Sequence, residues 1–377
     1  MKRRKSTGRL IPAVVLPMLL VLLFGCTTYN APFVEVDEAA RNGNYDEAIA
    51  KLSGEDRDEY YSEKEKVIYY LDLGMLYHYD RQWQESSVHF EQAEMLIEEY
   101  FTQSVSKAAA SLLINDNVMN YDGEDYEDIY LNVFKAINYI KRDEFDGAFV
   151  EIRRVNNKLN LLEDKYQGLA EQYNRSDEAK IDIEAGESRF YNSALARYLS
   201  MIIYRADGNY DSARIDYQEM QEAFARQKNI YDFPLPLDEH VLKQPEGAKL
   251  NVLAFAGESP VKRASTFRIV TYDNRLEIST ADESDMGVME LTSYTNVAWP
   301  GMEGGYRFKF QMPRMEMRGS SADRVRVIVD GSPVGEAKML ESIQKVAMET
   351  FSVKLPLIYL KTISRTVIKG LVAQKGK

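Results

Sequence analysis

Cysteine and histidine, two residue types that often carry enzyme chemistry, are rare in this chain. The sequence contains one cysteine, Cys26, and three histidines, His78, His89 and His240. The histidines form no His-x-x-x-His zinc pattern, and no Gly-x-Ser-x-Gly nucleophile turn occurs. A single cysteine cannot form an intramolecular disulfide. The sequence therefore predicts a protein that is not an enzyme and needs no metal or cofactor; a Ser/Lys nucleophile stays open as an alternative that no pattern favours.

Three loops resemble ligand-binding loops. Residues 301–305 are glycine-rich but lack the Gly-Lys-Ser/Thr end of a phosphate loop, so we predict a hairpin turn there. Residues 122–125 are acidic but lack the alternating oxygen ligands of a calcium loop, so we predict a solvated helix start. Residues 257–262 are predicted to form a turn, and the alternative is a surface loop that a partner recognises.

The N-terminus has the pattern of an export signal. A basic stretch precedes an apolar run over residues 11–24, which is shorter than the roughly 20 residues of a membrane-spanning helix. The run ends in Leu23-Phe24-Gly25-Cys26, which resembles the bacterial lipobox, although that motif usually has a small residue at the position of Phe24. The resemblance implies that residues 1–25 are a cleaved lipoprotein signal peptide. The alternative is an uncleaved membrane anchor.

Lipidation at Cys26 would attach the chain to a membrane. Lipoprotein acylation supplies at least two acyl chains, which are enough for stable anchoring where one is marginal. Residues 26–32 would then form a lipidated tether. Thr27 occupies the position of an inner-membrane retention Asp, which favours the outer membrane with the chain facing the periplasm. The inner membrane is the alternative.

The chain is acidic, with 47 Lys and Arg against 59 Asp and Glu and a net charge of −12. Residues 1–25 hold five basic and no acidic residues, so their removal would leave 42 basic against 59 acidic residues, a net charge of −17. Nucleic-acid-binding proteins present a basic surface to phosphates, so we expect no nucleic acid partner. The remaining chain is long enough for two domains.

Four short segments share a polar turn, an aromatic residue and a small residue three positions later. They lie between helical patterns at residues 43–48, 81–86, 143–148 and 208–213. The pattern resembles the tetratricopeptide repeat (TPR), in which a short turn joins two packed helices. The expected fold is mainly α: a degenerate TPR-like helical-repeat array over residues 33–230, with unevenly spaced repeats.

Stacked helix pairs form a concave surface that binds peptides or proteins. Three side chains on the first helix of the second pair, Tyr69, Asp72 and Tyr79, are predicted to face such a groove and bind a partner. A later helix carries an apolar stripe from Ile152 to Tyr173 at steps of three and four residues. We predict that this stripe faces the core and that Glu151 lies off it; a coiled-coil surface is the alternative.

The composition changes after a proline-containing linker at residues 231–245. We predict a small β-rich (α+β) C-terminal domain over residues 246–333. Its expected strands lie at residues 250–255, 266–272, 305–311 and 324–329. Residues 334–377 are predicted to form a C-terminal helical basic segment.

The C-terminal segment is the one basic region, since no acidic residue follows Phe351. Lys361, Arg365 and Lys369 step by four residues and would line one helix face, beside an apolar face that runs from Leu360 to Leu371. We predict that this helix packs on acidic residues of the same chain. Contact with an anionic membrane or with an acidic partner is the alternative.

Together these features resemble an uncharacterised family of TPR-containing bacterial lipoproteins. The residues that carry the resemblance lie at 114–116, 121, 123–127, 148, 150–154, 257–262, 298–300, 364–365 and 369. The resemblance implies an envelope lipoprotein without assigned catalysis, in a family often linked to penicillin-binding-protein activator lipoproteins. It therefore suggests a role in wall or envelope assembly.

Three functional hypotheses follow. The first is a membrane-anchored lipoprotein that acts as a protein–protein interaction scaffold in the cell envelope and binds an envelope protein or peptide. The second is a wall-modifying protein with its site in the β-rich domain. The third is a subunit of an exported assembly that docks through its C-terminal helix; in that case, deleting residues 352–377 is expected to leave the fold intact.

Overall fold

The computed structural model describes most of the chain after the predicted tether. The described residues are 33–54, 57–106, 119–175, 182–244, 246–283, 289–320, 322 and 324–375. The predicted signal peptide, Cys26 and the tether lie outside them. The chain divides into two compact units, residues 1–62 and 63–377.

The first unit contains a helical hairpin followed by one turn of helix. Its helices are α1 Phe33–Arg41, α2 Tyr45–Ser53 and α3 Arg57–Tyr60. The link between α1 and α2 turns at Gly43, whose φ of 79° is readily adopted by glycine. Ala48, the small residue of the first predicted turn, is fully buried. The first predicted turn therefore lies between two packed helices.

In the described part, the second unit begins with a 3-10 turn at Glu63–Glu65 and continues with three helical hairpins. Their helices are α4 Lys66–Tyr79 with α5 Trp83–Ser106, α6 Asp125–Lys141 with α7 Phe145–Asn174, and α8 Ala194–Ala206 with α9 Tyr210–Arg226. The prediction of a mainly helical chain is confirmed for this part. Assignment of the hairpins to the TPR class stays a prediction.

The three turns of the second unit share a local geometry. Each contains a left-handed residue, which reverses the chain after the helix: Arg81 (φ 62°), Asp143 (57°) and Gly208 (75°). The small residues predicted to follow are almost fully buried: Ser86, Ala148 and Ala213. The helices approach closely there, since a Cβ added to Gly74 of α4 would lie 2.6 Å from the Phe90 ring of α5.

The predicted apolar stripe of α7 faces the core. Its buried members are Ile152, Val155, Leu159, Leu162, Tyr166 and Tyr173. The prediction that Glu151 lies off this stripe is wrong, because its side chain is only 3% exposed. Lys135 and Asn132 of α6 face its carboxylate, with Nζ at 3.4 Å and Nδ2 at 2.7 Å from Oε2. Periodicity alone did not reveal these polar partners.

The proline-containing linker lies against the helices. Tyr231 is fully buried, and its ring stacks on Phe224 of α9 with centroids 4.5 Å apart. Phe233 meets the same Phe224 ring edge-on at 5.5 Å. A 3-10 turn follows at Glu239–Leu242. The linker therefore adds aromatic side chains to the helical core.

Residues 250–255 form no strand, so this prediction is wrong. Phe255 instead packs on Phe134 of α6, with ring centroids 4.7 Å apart. The Tyr198 hydroxyl of α8 donates to Asn251 Oδ1 at 3.2 Å. The segment meets helices and not a neighbouring strand, so its apolar residues do not lead to sheet pairing.

A four-stranded antiparallel sheet follows in the order β3-β2-β1-β4. Its strands are β1 Val261–Tyr272, β2 Arg275–Glu283, β3 Met289–Ala298 and β4 Arg307–Glu316. A separate hairpin pairs β5 Val325–Val329 with β6 Ser332–Ala337. The sequence predicted β1, β4 and β5. It missed β2 and β3, whose short apolar alternation is broken by acidic residues such as Asp282 and Glu290. It also missed β6, so the prediction that residues 334–337 belong to the C-terminal helical segment is wrong.

The glycine-rich segment at residues 301–305 is not the predicted hairpin turn. It connects β3 with β4, which lie at opposite edges of the sheet. Asn274 Oδ1 accepts a hydrogen bond from Gly301 N at 2.8 Å, and Asp273 Oδ1 accepts one from Gly304 N at 2.9 Å. The turn between β1 and β2 thus holds this connection, a non-local arrangement that a turn pattern does not predict.

One 33-residue helix, α10 Ile343–Lys375, covers the inward face of the sheet. The apolar side chains of this interface are Leu360, Ile363, Val367, Ile269, Leu276, Ile278 and Phe310. The first three belong to the apolar helix face predicted from the sequence. The helix therefore supplies the second layer that an antiparallel sheet needs in order to bury one face.

The first half of α10 packs on α7. Val353 is fully buried with Leu162 and Tyr166. Deleting residues 352–377 would uncover both α7 and the inward face of the sheet. The expectation that this deletion leaves the fold intact is therefore wrong, because α10 is part of the core.

The segment before α8 packs on the backbone of α10 one turn before Pro356. Proline has no N–H to donate to the carbonyl oxygen of Ser352. Gly186 N donates to Val353 O at 2.8 Å, and a Cβ at position 186 would lie 2.6 Å from Ser352 O. Only glycine permits this approach of two backbones.

Candidate functional site

The three side chains predicted to bind a partner lie along α4. Tyr79 is 40% exposed, and Tyr69 and Asp72 are half-buried. Tyr69 contacts Tyr70 edge-on at 5.0 Å, and Tyr79 contacts His78 edge-on at 5.5 Å. Each of the three also has further interactions within the chain. Their role in partner binding stays a prediction.

The other predicted site residues lie near the two ends of the sequence. Lys361 and Arg365 are half-buried on α10 and interact with other groups of the chain. The side chain of Lys369 and all of Cys26 lie outside the described part. A role of these residues in binding or lipidation therefore also stays a prediction.

Charged side chains from several elements meet at the start of α6. This junction cluster consists of Glu124, Asp125, Lys165 of α7, Lys262 of β1 and Lys354 of α10. Glu124 oxygens lie 2.5 Å from Lys262 Nζ and 2.6 Å from Lys354 Nζ. Asp125 Oδ1 lies 2.7 Å from Lys165 Nζ. The cluster therefore links α6 to α7, to α10 and to the sheet.

The junction cluster corrects one prediction and supports another. The prediction of a solvated helix start at residues 122–125 is wrong for Glu124 and Asp125, which are only 5% and 6% exposed, whereas Asp122 is exposed. Lysines from distant segments cover them, which the local sequence does not show. The ion pair of Lys354 shows that the basic C-terminal helix packs on acidic residues of the same chain, as predicted.

The charges of the junction cluster stabilise one another. Burial alone would lower the pKa of Lys354, but Glu124 and Asp125 hold it above its ordinary value. Burial would raise the pKa of Glu124, but Lys354 and Lys262 hold it below its ordinary value. These groups are therefore ionised at neutral pH, and their pairing fixes the elements that carry them.

A second buried lysine lies between α5, α6 and α7. This central cluster consists of Lys135, Glu91, Glu94, Glu151 and Lys158. Lys135 is 2% exposed, and its Nζ faces the carboxylates of Glu91 at 2.5 Å, Glu94 at 2.9 Å and Glu151 at 3.4 Å. Burial would raise the pKa of Glu94, but Lys158 and Lys135 lower it to about 2.

Glu341, which precedes α10, differs from the carboxyl groups of the two clusters because its partners are hydroxyl groups. It accepts hydrogen bonds from Tyr130 at 2.6 Å, from Tyr231 at 2.6 Å and from Ser193 at 2.9 Å. Burial raises the pKa of Glu341 above its ordinary value, and these hydrogen bonds oppose the rise only in part. Glu341 therefore holds a proton more tightly than Glu94 does.

The three histidines lie in different surroundings. His78 is buried, its Nδ1 lies 2.6 Å from Asn138 Oδ1, and burial lowers its pKa. His89 stacks on Tyr77 with centroids 4.8 Å apart, and His240 is exposed. In the part of the chain that the structure describes, no group of three or more His, Cys, Asp or Glu side chains is arranged to hold a metal ion.

The face of the sheet that points away from α10 is lined by polar residues and forms an open groove of about 820 Å³. The outward sheet face is defined here by Arg268, Val270, Glu277, Ser279, Arg307 and Lys309. Its three cations are exposed, and none of them has an ion pair or hydrogen bond among the described residues. The sequence did not predict this groove, because strand order brings the cations together.

Comparison with known proteins adds no relative to the family resemblance that the sequence motifs suggest. No family model, no curated protein and no solved structure matches this chain. Over the described residues, no helix is long and apolar enough to cross a membrane. The resemblance to TPR-containing lipoproteins therefore rests on the sequence motifs and stays a prediction.

Proposed function

We propose that this chain is a bacterial lipoprotein, anchored through Cys26, that acts as a protein-interaction scaffold in the cell envelope. One observation carries the proposal: the only cysteine of the chain directly follows an apolar export-signal pattern. Cleavage before Cys26 would leave it as the N-terminal residue, ready for acylation. Acyl chains would then hold the chain at a membrane, with the outer membrane facing the periplasm as the favoured location.

The helical hairpins support a binding role for the rest of the chain. Paired helices of the TPR type present side chains of their first helices to a partner. The partially exposed residues Tyr69, Asp72 and Tyr79 of α4 are the contacts we propose for an envelope protein or peptide. The buried central cluster holds α5 against α6 and α7, and α5 in turn packs on α4, with Ser86 Oγ donating to Gly74 O at 2.8 Å. A surface on α4 that is held in this way is rigid, which lowers the entropy cost of binding.

Crosslinking in native membranes tests the binding role. The triple variant Tyr69→Ala, Asp72→Ala and Tyr79→Ala should lose a partner that the unmodified chain recovers reproducibly, with a loss of at least about tenfold if one of them is a central contact. The matched control replaces Asp211 and Ile215, two exposed residues of α9, by alanine. Equal recovery by the triple variant and the control would contradict the proposed surface.

A further inference from the structure

The cations of the outward sheet face repel one another. Arg268 of β1 and Lys309 of β4 are direct cross-strand partners, and Arg307 follows on the same side of β4, opposite Val270. Like charges at directly opposed positions of a sheet are destabilising. Glu277 shares the groove but forms no ion pair with them among the described residues. An external anion would remove this repulsion.

Some exposed arginines on the helices pair with a neighbouring carboxylate. Arg175 pairs with Glu171 at 2.8 Å, and Arg226 pairs with Glu222 at 2.9 Å, each four residues apart on a helix. The chain as a whole is acidic, with a net charge of −12. Arg268, Arg307 and Lys309 instead lie together without an acidic partner among the described residues, and such a patch complements an anionic surface.

The composition of the outward sheet face favours a phosphate-bearing surface over a protein. Stable protein interfaces have an apolar centre. Here Val270 is half-buried, and the exposed side chains around it are charged or polar. Tyr272, 39% exposed on the same side of β1, is of a type enriched at membrane–water interfaces. A wide, open and cationic groove suits the headgroups of a bilayer.

We propose that the outward sheet face rests on anionic phospholipid headgroups, bound by Arg268, Arg307 and Lys309. This inference rests on the proposed lipid attachment at Cys26, because three cations alone bind a bilayer weakly. Each contributes roughly fivefold to the attraction. A chain already tethered to the bilayer needs no more than this, since its effective local concentration is high. The contact would orient the acidic chain on the membrane.

The test uses the full chain purified from membranes in detergent and reconstituted into two kinds of vesicle. One contains phosphatidylcholine only, and the other also contains phosphatidylglycerol; both contain a lipid-borne quencher. The variant Gln311→Cys places a dye at the edge of the outward sheet face. The variant Asp211→Cys places the same dye on α9, at a side chain that is 95% exposed. Because Cys26 is the only native cysteine, labelling is specific once it is acylated.

We expect strong quenching at position 311 in the phosphatidylglycerol vesicles, weak quenching in neutral vesicles, and weak quenching at position 211 in both. Added salt should reduce the quenching at position 311, since exposed charges are screened. The variant Arg268→Glu, Arg307→Glu and Lys309→Glu should abolish it. The control Arg175→Glu, Arg214→Glu and Arg226→Glu changes the net charge equally on exposed helix positions and should retain it.

Equal quenching at position 311 in both vesicle types, or quenching that survives the triple reversal, would overturn the inference. Absent quenching, together with an acidic protein crosslinked to position 311, would overturn it in favour of a protein partner. Flotation with neutral vesicles separates the two proposals. A chain that does not float with them lacks the tether and contradicts the proposed function, whereas a chain that floats but is not quenched contradicts only the contact of the sheet.

Discussion

The buried lysines and the exposed cations of the second unit differ in their partners. Lys135 and Lys354 each lie within 3 Å of at least one carboxylate oxygen. Arg268, Arg307 and Lys309 have no such partner among the described residues. Removing a charge from water is expensive unless it is paired, whereas an exposed charge remains solvated. Internal cations therefore hold the fold together, and the cations of the outward sheet face remain available to a ligand.

The largest effect is expected at Lys135. The substitution Lys135→Met removes the most buried cation from Glu91, Glu94 and Glu151, and breaking a buried ion pair costs about 3–5 kcal/mol. Arg154 and Lys158 stay beside these carboxylates but are more exposed than Lys135. Urea unfolding followed by circular dichroism measures the loss. The control Lys228→Met removes an exposed lysine and should change stability by less than about 0.5 kcal/mol. Similar values for the two variants would contradict a stabilising central cluster.

Lys354→Met should cost less than Lys135→Met, because Lys354 is 13% exposed and faces two carboxylates, whereas Lys135 is 2% exposed and faces three. The loss should be on the order of 3 kcal/mol. The loss of stability should also be concentrated in another part of the fold, since Lys354 lies on α10. Hydrogen exchange should speed up in the sheet and in α10 more than in α4 and α5. Uniform acceleration would show that the junction cluster has no specific role in holding the sheet.

Acid should remove the contribution of Glu94 to the stability of the folded chain. Its pKa of about 2 in the folded chain lies below its ordinary value of 4.5. The folded state therefore gains stability above pH 4.5 and loses it as the pH falls towards 2, by about 3 kcal/mol in total. Unfolding measured across this range should show a weaker pH dependence for Glu94→Gln than for the unmodified chain. Parallel curves would contradict the pairing of Glu94.

Glu341 should change stability with pH in the direction opposite to Glu94. Its pKa is raised in the folded chain, so ionisation of the unfolded chain reduces stability as the pH rises above 4.5. Glu341→Gln keeps a neutral group beside the hydroxyls. Relative to the unmodified chain, the variant should gain stability as the pH rises from 4.5 to neutral. A loss that grows with pH would contradict this account of Glu341.

The smallest effect is expected on the outward sheet face. Lys309→Gln removes a cation opposite Arg268 and should stabilise the isolated chain by roughly 0.2–1 kcal/mol, because a like-charge pair disappears. Thermal unfolding at low salt measures the gain, which should shrink at high salt. A loss of stability would mean that Lys309 has an internal partner and would weaken the proposed contact with lipid.

Local patterns predicted local structure well. The four turns and the stripe of α7 follow from turn residues and from helical periodicity, and the structure contains both. Periodicity also assigned α10 an apolar face, which covers the sheet through Leu360, Ile363 and Val367. These features depend on residues within a few helical turns of one another, which a single sequence displays directly.

Long-range partners could not be predicted. Lys262 and Glu124 are 138 residues apart, and only the fold brings them together. Glu151 looks like a solvated residue until Lys135 lies opposite it. The outward sheet face depends on β4 pairing with β1 across the sheet, although β2 and β3 lie between them in the sequence. A sequence pattern identifies the exposed side of a strand, but not its neighbouring strands.

The most direct test of the central claim is the intact mass and N-terminal sequence of the chain purified from native membranes. The account predicts that residues 1–25 are absent and that Cys26 is the N-terminal residue, carrying thioether-linked diacylglycerol and an acylated amino group. Cys26→Ser should lose this mass and leave the signal peptide uncleaved. A chain that begins at Met1, or one that is cleaved elsewhere and carries no lipid, would contradict the claim.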